Sequence, residues 1–345
     1  MLINPGQKRV NENVHGMNIW LTQPAPYGKP DLGGVAGGSV KPMKRLTFSP
    51  PALTLGTVQL GLPYGVANRH GQPDDDETRA ILDLAWQNNV CVFDAARAYG
   101  DSEARIGRWR AERGAAGLRI VSKIPPVPAG APSERRAFVR EQIATSRTAL
   151  QSAQIDVMMM HKGEDLLDEA VVAELQDATA RGAIGAFGAS LYDPAIGLRV
   201  LEAVPLAAMQ VPASLVDKRF ESAGVLKQAR AAGVIMFARS AFLQGALLLE
   251  PERLPPHLLA LKTPITAIRQ LAVKTGRPAA EILLVAARDI HGVDSVVVGV
   301  ERAAQLRPHL SAIASPPLKP GERAWLDEQV NDVPEAAVDP SRWPR

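Results

Sequence analysis

The sequence predicts an α/β fold, a single-domain (β/α)8 barrel of the TIM type behind a disordered N-terminal extension. Three observations predict it. Short apolar runs alternate with longer amphipathic stretches from about Lys44 onward, and eight such pairs can be counted. The runs are almost continuously apolar, as strands buried on both faces of a parallel sheet must be. Eight units in about 270 residues match such a barrel in number and in size. The rival, a doubly wound open sheet, advertises a Gly-x-Gly-x-x-Gly turn after its first strand. LGTVQLGLPYG contains glycines but not in that order before a helix.

The units follow in order. The first strand is read over Leu53 to Gly61, with a helix over DDDETRAILDLAWQNN. There Asp74 to Asp76 supply an acidic first turn, and Ala80, Ile81, Leu84 and Ala85 form an apolar stripe. VCVFDAA leads to the helix SEARIGRWRAER, begun by Ser102 as cap and Glu103 as first-turn acid. LRIVSKI leads to SERRAFVREQIATSRTAL, capped by Ser133, with Arg136 leaving a capping box incomplete. IDVMMMH precedes DEAVVAELQDATARG, IGAFGAS precedes PAIGLRVLEAV, and LAAMQVP precedes SAGVLKQARAAG. VIMFARS leads into a long helical region from Pro264 to Asp289, and VDSVVVG with RAAQLRPHLSAI closes the series.

Residues 1–44 stand apart. QPAPYGKPDLGGVAGGSVKP is rich in Gly and Pro without a hydrophobic period, which reads as a disordered lead, or as sequence upstream of a start at Met43. The barrel is expected over 45–330 and a tail over 331–345, whose PSRWPR and the lead are candidate contact segments; oligomeric state is not readable. No basic block or aromatic platform marks a nucleic-acid surface, despite a net charge of +3. No apolar run reaches membrane-spanning length. The single cysteine, Cys91, rules out an internal disulfide and fits a reducing, cytoplasmic setting; it reads as an inert core residue. The six histidines are dispersed, and no metal site is expected.

In such a barrel the C-terminal strand ends surround one pocket. Asp94 ends the second strand with Tyr99 just after it, Lys123 ends the third and His161 the fourth. A free phenol titrates near about 10, and a nearby ammonium favours its ionised form. Lys123 is therefore expected to make Tyr99 acidic enough to exchange a proton, with Asp94 holding Lys123. His161 is expected to orient a carbonyl oxygen. Singly, each residue is as readily a cap, a wet surface group or a core histidine. Their arrival at adjacent strand ends carries the reading.

FDAARAYGDSEARIG resembles the signature Asp-x-Ala-x-x-Tyr-Gly-x-Ser-Glu-x-x-[Ile/Leu]-Gly of the aldo-keto reductases. LGTVQLG, VSKI, MMMH, RGAIGAFGAS, MQVP and SAFLQGALL are similar to that family's segments in the same order. The resemblance implies a (β/α)8 barrel, hydride transfer between NADPH or NADH and a carbonyl or alcohol, and the tetrad Asp94, Tyr99, Lys123 and His161. It also implies cofactor contacts at Gly56 and Thr57, at Ser190 and Gln210 for the nicotinamide amide, and at Ser240, Phe242, Leu243 and Gln244 for the pyrophosphate. Two positions depart from the pattern: Leu191 replaces an asparagine, and Arg239 replaces the aromatic that stacks on the nicotinamide, which a planar guanidinium can also do. After the eighth strand, Gly299, Val300, Arg302, Gln305 and His309 fall at the adenosine and phosphate contacts, beside a helix start that can present N–H groups.

Arg302 could pair with a 2′-phosphate, and NADPH is the cofactor expected; Glu301 could instead accept from a free ribose hydroxyl, as NADH would offer. The substrate is expected to be a small aldehyde, ketone or sugar, and Arg97 and Lys162 are candidates for attracting an anionic group on it. Tyr64 and His70 could wall the pocket. The alternatives are an aldose 1-dehydrogenase working oxidatively and a regulatory protein that kept the barrel and the cofactor site.

Overall fold

The computed structural model describes residues 46–331 and 333–344. The extension over 1–44 and the possible start at Met43 lie outside the described residues. Eight strands, β1 (Leu53–Gly56), β2 (Val92–Asp94), β3 (Arg119–Ile124), β4 (Ile155–Met160), β5 (Ile184–Ser190), β6 (Ala208–Pro212), β7 (Ile235–Arg239) and β8 (Ser295–Gly299), follow one another around a closed barrel. All neighbours are parallel, and β1 pairs with β8 to close the ring.

The first strand is shorter than the sequence suggested. It stops at Gly56, and Val58–Gly61 turn into a short helix, α1. Gly56 is paired with Asp94 on one side and Gly299 on the other, the last residues of their strands, so no ladder partner continues beyond it.

Helix α2 (Asp75–Gln87) is capped by Asp74, whose carboxylate accepts from the Glu77 N–H at 2.8 Å. It buries Thr78, Ile81, Leu82, Leu84 and Ala85, whereas Ala80 is exposed and does not join the stripe. Helix α3 (Ser102–Arg113) starts at the residue expected to cap it: Asp101 is the N-cap residue, and Ser102 and Glu103 are buried. Helix α4 (Pro132–Ala149) likewise begins at Pro132, a natural first helical residue, so Ser133 is inside it. Glu134 folds back to accept from the Ala131 N–H at 2.7 Å, doing half of what a capping box does.

Helices α5 (Glu169–Ala180), α6 (Pro194–Ala203), α7 (Arg219–Ser222) and α8 (Val225–Ala231) follow β4 to β6. The stretch after β7 resolves into short 3-10 turns and two helices, α9 (Lys262–Thr275) and α10 (Ala279–Arg288). Gly276 at φ 71° stops the first, and Pro278 precedes the second. Helix α11 (Ala303–Ala312) packs on α2, and α12 (Pro320–Gln329) and α13 (Glu335–Val338) complete the chain. The tail is not loose: Ala337, Val338 and Trp343 are buried in a cluster with residues of α9, α10 and α12.

Residues two apart on a strand face the same side. Inside the barrel this produces an apolar layer of Val92, Val121, Val157, Met159, Ala208 and Phe237, with Leu46 and Phe48 packed against it. Burying each large member contributes roughly 1.5–3 kcal/mol. One step further along the same strands, the same face carries Asp94, Lys123, His161, Gln210 and Arg239. The apolar layer is thus the floor of a polar chamber at the C-terminal mouth. Cys91 packs half-buried against this layer, and burial raises its thiol pKa, away from the reactive thiolate. Among the described residues no helix is long and apolar enough to cross a membrane.

Candidate active site

A cavity of about 390 Å³ opens at the mouth of the barrel and runs from Tyr99 and His161 to Glu301 and His309. At its floor lies a buried ion pair. The Lys123 ammonium, 0% exposed, donates to Asp94 Oδ1 at 2.6 Å, to the Ala95 carbonyl at 3.1 Å and to the Tyr99 hydroxyl at 3.4 Å. Gln210 Nε2 donates to the same Asp94 oxygen at 2.8 Å. A buried ammonium is costly unless it is paired and its donors are used, and here both conditions hold. The His161 ring meets the Tyr99 ring edge-on at 5.9 Å. All four residues expected from the strand ends therefore converge. Lys123 lies behind Tyr99, and the other three line the cavity.

The Tyr99 loop is held from both sides. Thr57 donates to the Asp94 carbonyl through its backbone N–H at 3.0 Å and its hydroxyl at 2.9 Å, and Ser102 donates to Thr57 Oγ1 at 2.7 Å. Gly61 lets α1 press on this loop, since a Cβ there would fall 1.7 Å from the Tyr99 carbonyl oxygen. Gly100 answers it at φ 54°, a conformation that disfavours other residues.

Burial dominates the protonation of the site. Burial pushes the Tyr99 phenol well above its ordinary range, Asp94 adds to this, and Arg239 pulls the other way. Lys123 is itself lowered by burial, against the pull of Asp94. Tyr99 is therefore held as a phenol, with the Lys123 ammonium shared between Asp94 and the Tyr99 hydroxyl. His161 is pushed down to about 4, first by burial and then by Lys123 and Arg239, so it is neutral at pH 7.

Gly56, Ser190, Tyr64, Ser240, Phe242, Gln244, Gly299 and Gln305 also line the cavity, whereas Leu243 is buried beneath it. Ser240, Leu243 and Gln244 all have positive φ, at 66°, 50° and 55°, a strained backbone of the sort concentrated at functional sites. Gln210, expected as a cofactor amide partner, spends its amide N–H on Asp94. Arg239 lies 3.8 Å over the Tyr192 ring and donates to the Leu191 carbonyl at 3.1 Å.

Besides Leu243, four expected contacts are not at the cavity. Arg97 pairs with buried Glu103 at 2.7 Å, and Glu103 also accepts from Ser122 at 2.6 Å. Lys162 is exposed and is not a lining residue, and the same holds for His70. Arg302 donates to Glu77 of α2 at 3.2 Å. Gln59, Tyr192 and Glu77 were not singled out as site residues. Gln59 falls within the expected first strand, and Glu77 follows the acidic turn Asp74 to Asp76, so only the packing of α2 on α11 brings it to Arg302.

A sequence profile of the aldo/keto reductase family matches residues 52–330. An aldo-keto reductase, str7, from Strobilurus tenacellus is 31% identical over 201 residues, covering 56% of this chain and 58% of that relative, so the match spans little over half of it. An L-glyceraldehyde 3-phosphate reductase from Escherichia coli O157:H7 is 24% identical over 350 residues, covering 91% of this chain and 96% of that one. The fold is that of the holo aldo-keto reductase AKR11C1 from Bacillus halodurans, at a TM-score of 0.68 and 20% identity over 88% of this chain and 98% of that one. The glycerol dehydrogenase AKR11B4 from Gluconobacter oxydans superposes similarly, with a TM-score of 0.69 and 21% identity over 86% and 97% of the two chains. The barrel, the signature strand and the profile agree: the chain belongs to the aldo/keto reductase family of NAD(P)H-dependent oxidoreductases.

Proposed function

We propose that the chain reduces the carbonyl of a small aldehyde, ketone or sugar, with Tyr99 as general acid. The observation that carries this reading is the buried Tyr99–Lys123–Asp94 chain beside a neutral His161. Two residues on the cavity wall, Gln59 and His309, each keep a buried polar atom, Oε1 and Nδ1, without a partner within the protein. When bound, a nicotinamide dinucleotide supplies the hydride to the carbonyl carbon.

The rest falls to the chain. Neutral His161 orients the carbonyl oxygen without adding charge. The Tyr99 hydroxyl donates its proton to that oxygen as negative charge grows there. The phenolate left behind lies within reach of the Lys123 ammonium, which stabilises it. Burial holds the proton on Tyr99, so at neutral pH the side chain is in the form that a general acid needs. The oxidative reading, with Tyr99 as base, requires the phenolate and should gain rate as pH rises.

Arg239 supplies the cation that Arg97 and Lys162 do not bring to the cavity. Stacked on Tyr192, it offers a flat face to a nicotinamide ring and a charge to an anionic substrate. The name of the Escherichia coli relative, whose substrate is phosphorylated, fits an anionic carbonyl compound.

The test is Tyr99→Phe, assayed by nicotinamide absorbance on a panel of aldehydes, ketones and aldoses. Turnover should fall about 10²–10⁴-fold while cofactor binding persists. Turnover within a few-fold of the parent would sink the mechanism. Cofactor binding by the parent without turnover on any substrate would favour the regulatory reading.

A further inference from the structure

The cavity has two ends, and the chemistry occupies only one. A dinucleotide with its reacting ring beside Tyr99 must send its adenosine half to the other, where β8 leads into α11. That end has an aromatic wall: the Phe242 and His309 rings lie 4.9 Å apart at 33°. His309 is 8% exposed, and its Nδ1 has no partner within the protein. Burial holds this imidazole near a pKa of about 4, so it brings no positive charge at pH 7. A flat wall with an unused polar atom suits an adenine ring.

The charges at this end are acidic. Glu301 is the charged residue among the described lining residues here. Its carboxylate accepts from Gln305 Nε2 at 3.2 Å, and Gln305 Oε1 accepts from the N–H groups of Glu301 at 3.0 Å and Arg302 at 3.1 Å. Glu77 takes the next donors: it accepts from the Ala303 N–H at 2.6 Å and from the Arg302 guanidinium at 3.2 Å. The N–H groups of Glu301, Arg302 and Ala303 and the nearer arm of the Arg302 guanidinium are therefore already engaged within the protein.

Resting on the dinucleotide reading above, we infer that Glu301, with Glu77 holding Arg302 away, selects the cofactor with a free adenosine ribose diol, NADH, over its 2′-phosphorylated counterpart, NADPH. Ribose hydroxyls donate to a carboxylate, giving charge-assisted hydrogen bonds. A 2′-phosphate brings up to two further negative charges against Glu301 and Glu77, in a partly buried site where salt screens weakly. This reverses the expectation of NADPH, which rested on Arg302.

The experiment is a titration of the full chain with NADH and with NADPH, read by quenching of tryptophan fluorescence and without substrate. The parent should bind NADH at least tenfold more tightly. Glu301→Gln, nearly the same shape, should narrow that ratio several-fold by loosening NADH and tightening NADPH. Glu77→Gln, which releases Arg302, should tighten NADPH alone. NADPH binding as tightly as NADH to the parent, or a ratio unmoved in Glu301→Gln, would overturn the assignment. Binding of neither cofactor would overturn the dinucleotide reading itself, a distinct result.

Discussion

The two ends of the cavity solve opposite problems. At the floor beside Tyr99 the charged and amide groups answer one another: Lys123 and Gln210 both donate to Asp94, and only the phenol and His161 are left to act. At the α11 end, His309 has a buried atom without a partner, and Glu301 is held by Gln305 facing the cavity. The first end has its buried charges paired within the protein, and the second keeps a buried polar atom without a partner, as the proposed proton transfer and the proposed dinucleotide would each require. Mutations at the first should therefore cost stability and turnover together, and mutations at the second should move affinity.

The largest expected effect breaks the floor. Lys123→Met leaves Asp94 buried without its cation and should destabilise the fold by about 3–5 kcal/mol in chemical denaturation, besides abolishing most turnover. A loss below 1 kcal/mol would show that Asp94 is not charged there.

Acid should distinguish the two histidines from surface ones. His161 and His309 have folded pKa values of about 4, below the ordinary 6.5. As pH falls from 6.5 toward 4, the unfolded chain takes up protons that the folded chain refuses, so stability drops. Each residue should contribute on the order of 3 kcal/mol to that drop, with no further change from it below pH 4. Denaturation midpoints across this window should flatten in His161→Gln and in His309→Gln; equal slopes in parent and variants would refute the burial argument.

The smallest effect concerns charge at the mouth. Arg239→Gln should raise KM for an anionic aldehyde roughly tenfold and leave a neutral one within a few-fold, a loss of the size expected for one charge-assisted contact. Arg97→Ala strands part of Glu103 and should cost about 1–3 kcal/mol of stability, with anionic and neutral substrates affected alike. The reverse pattern in the two variants would return the anion-binding role to Arg97.

Much of the floor was legible because strands have a period of two. Val92 to Asp94, Val121 to Lys123 and Met159 to His161 are each two residues apart, so any barrel that buries the first residue of a pair delivers the second to its mouth. Strand count and order followed from eight apolar runs, and the structure closes them in that sequence. Helix starts were less legible: Ser102 and Ser133 looked like caps, but Asp101 and Ala131 occupy those positions, because a serine is equally at home one or two residues further in.

The partners of the cations were hidden for a different reason. Arg97, Arg302 and Arg239 look alike in sequence, and each is set by a partner distant in the chain or on another element: Glu103, Glu77 and Tyr192. Local pattern determined by itself that this chain is a barrel and that Asp94, Tyr99, Lys123 and His161 share one mouth, since period and strand order are short-range properties. Only the tertiary structure decided which charges are spent and which remain for a ligand. A guanidinium pairs with the nearest carboxylate in space, and for Arg302 that carboxylate is 225 residues away.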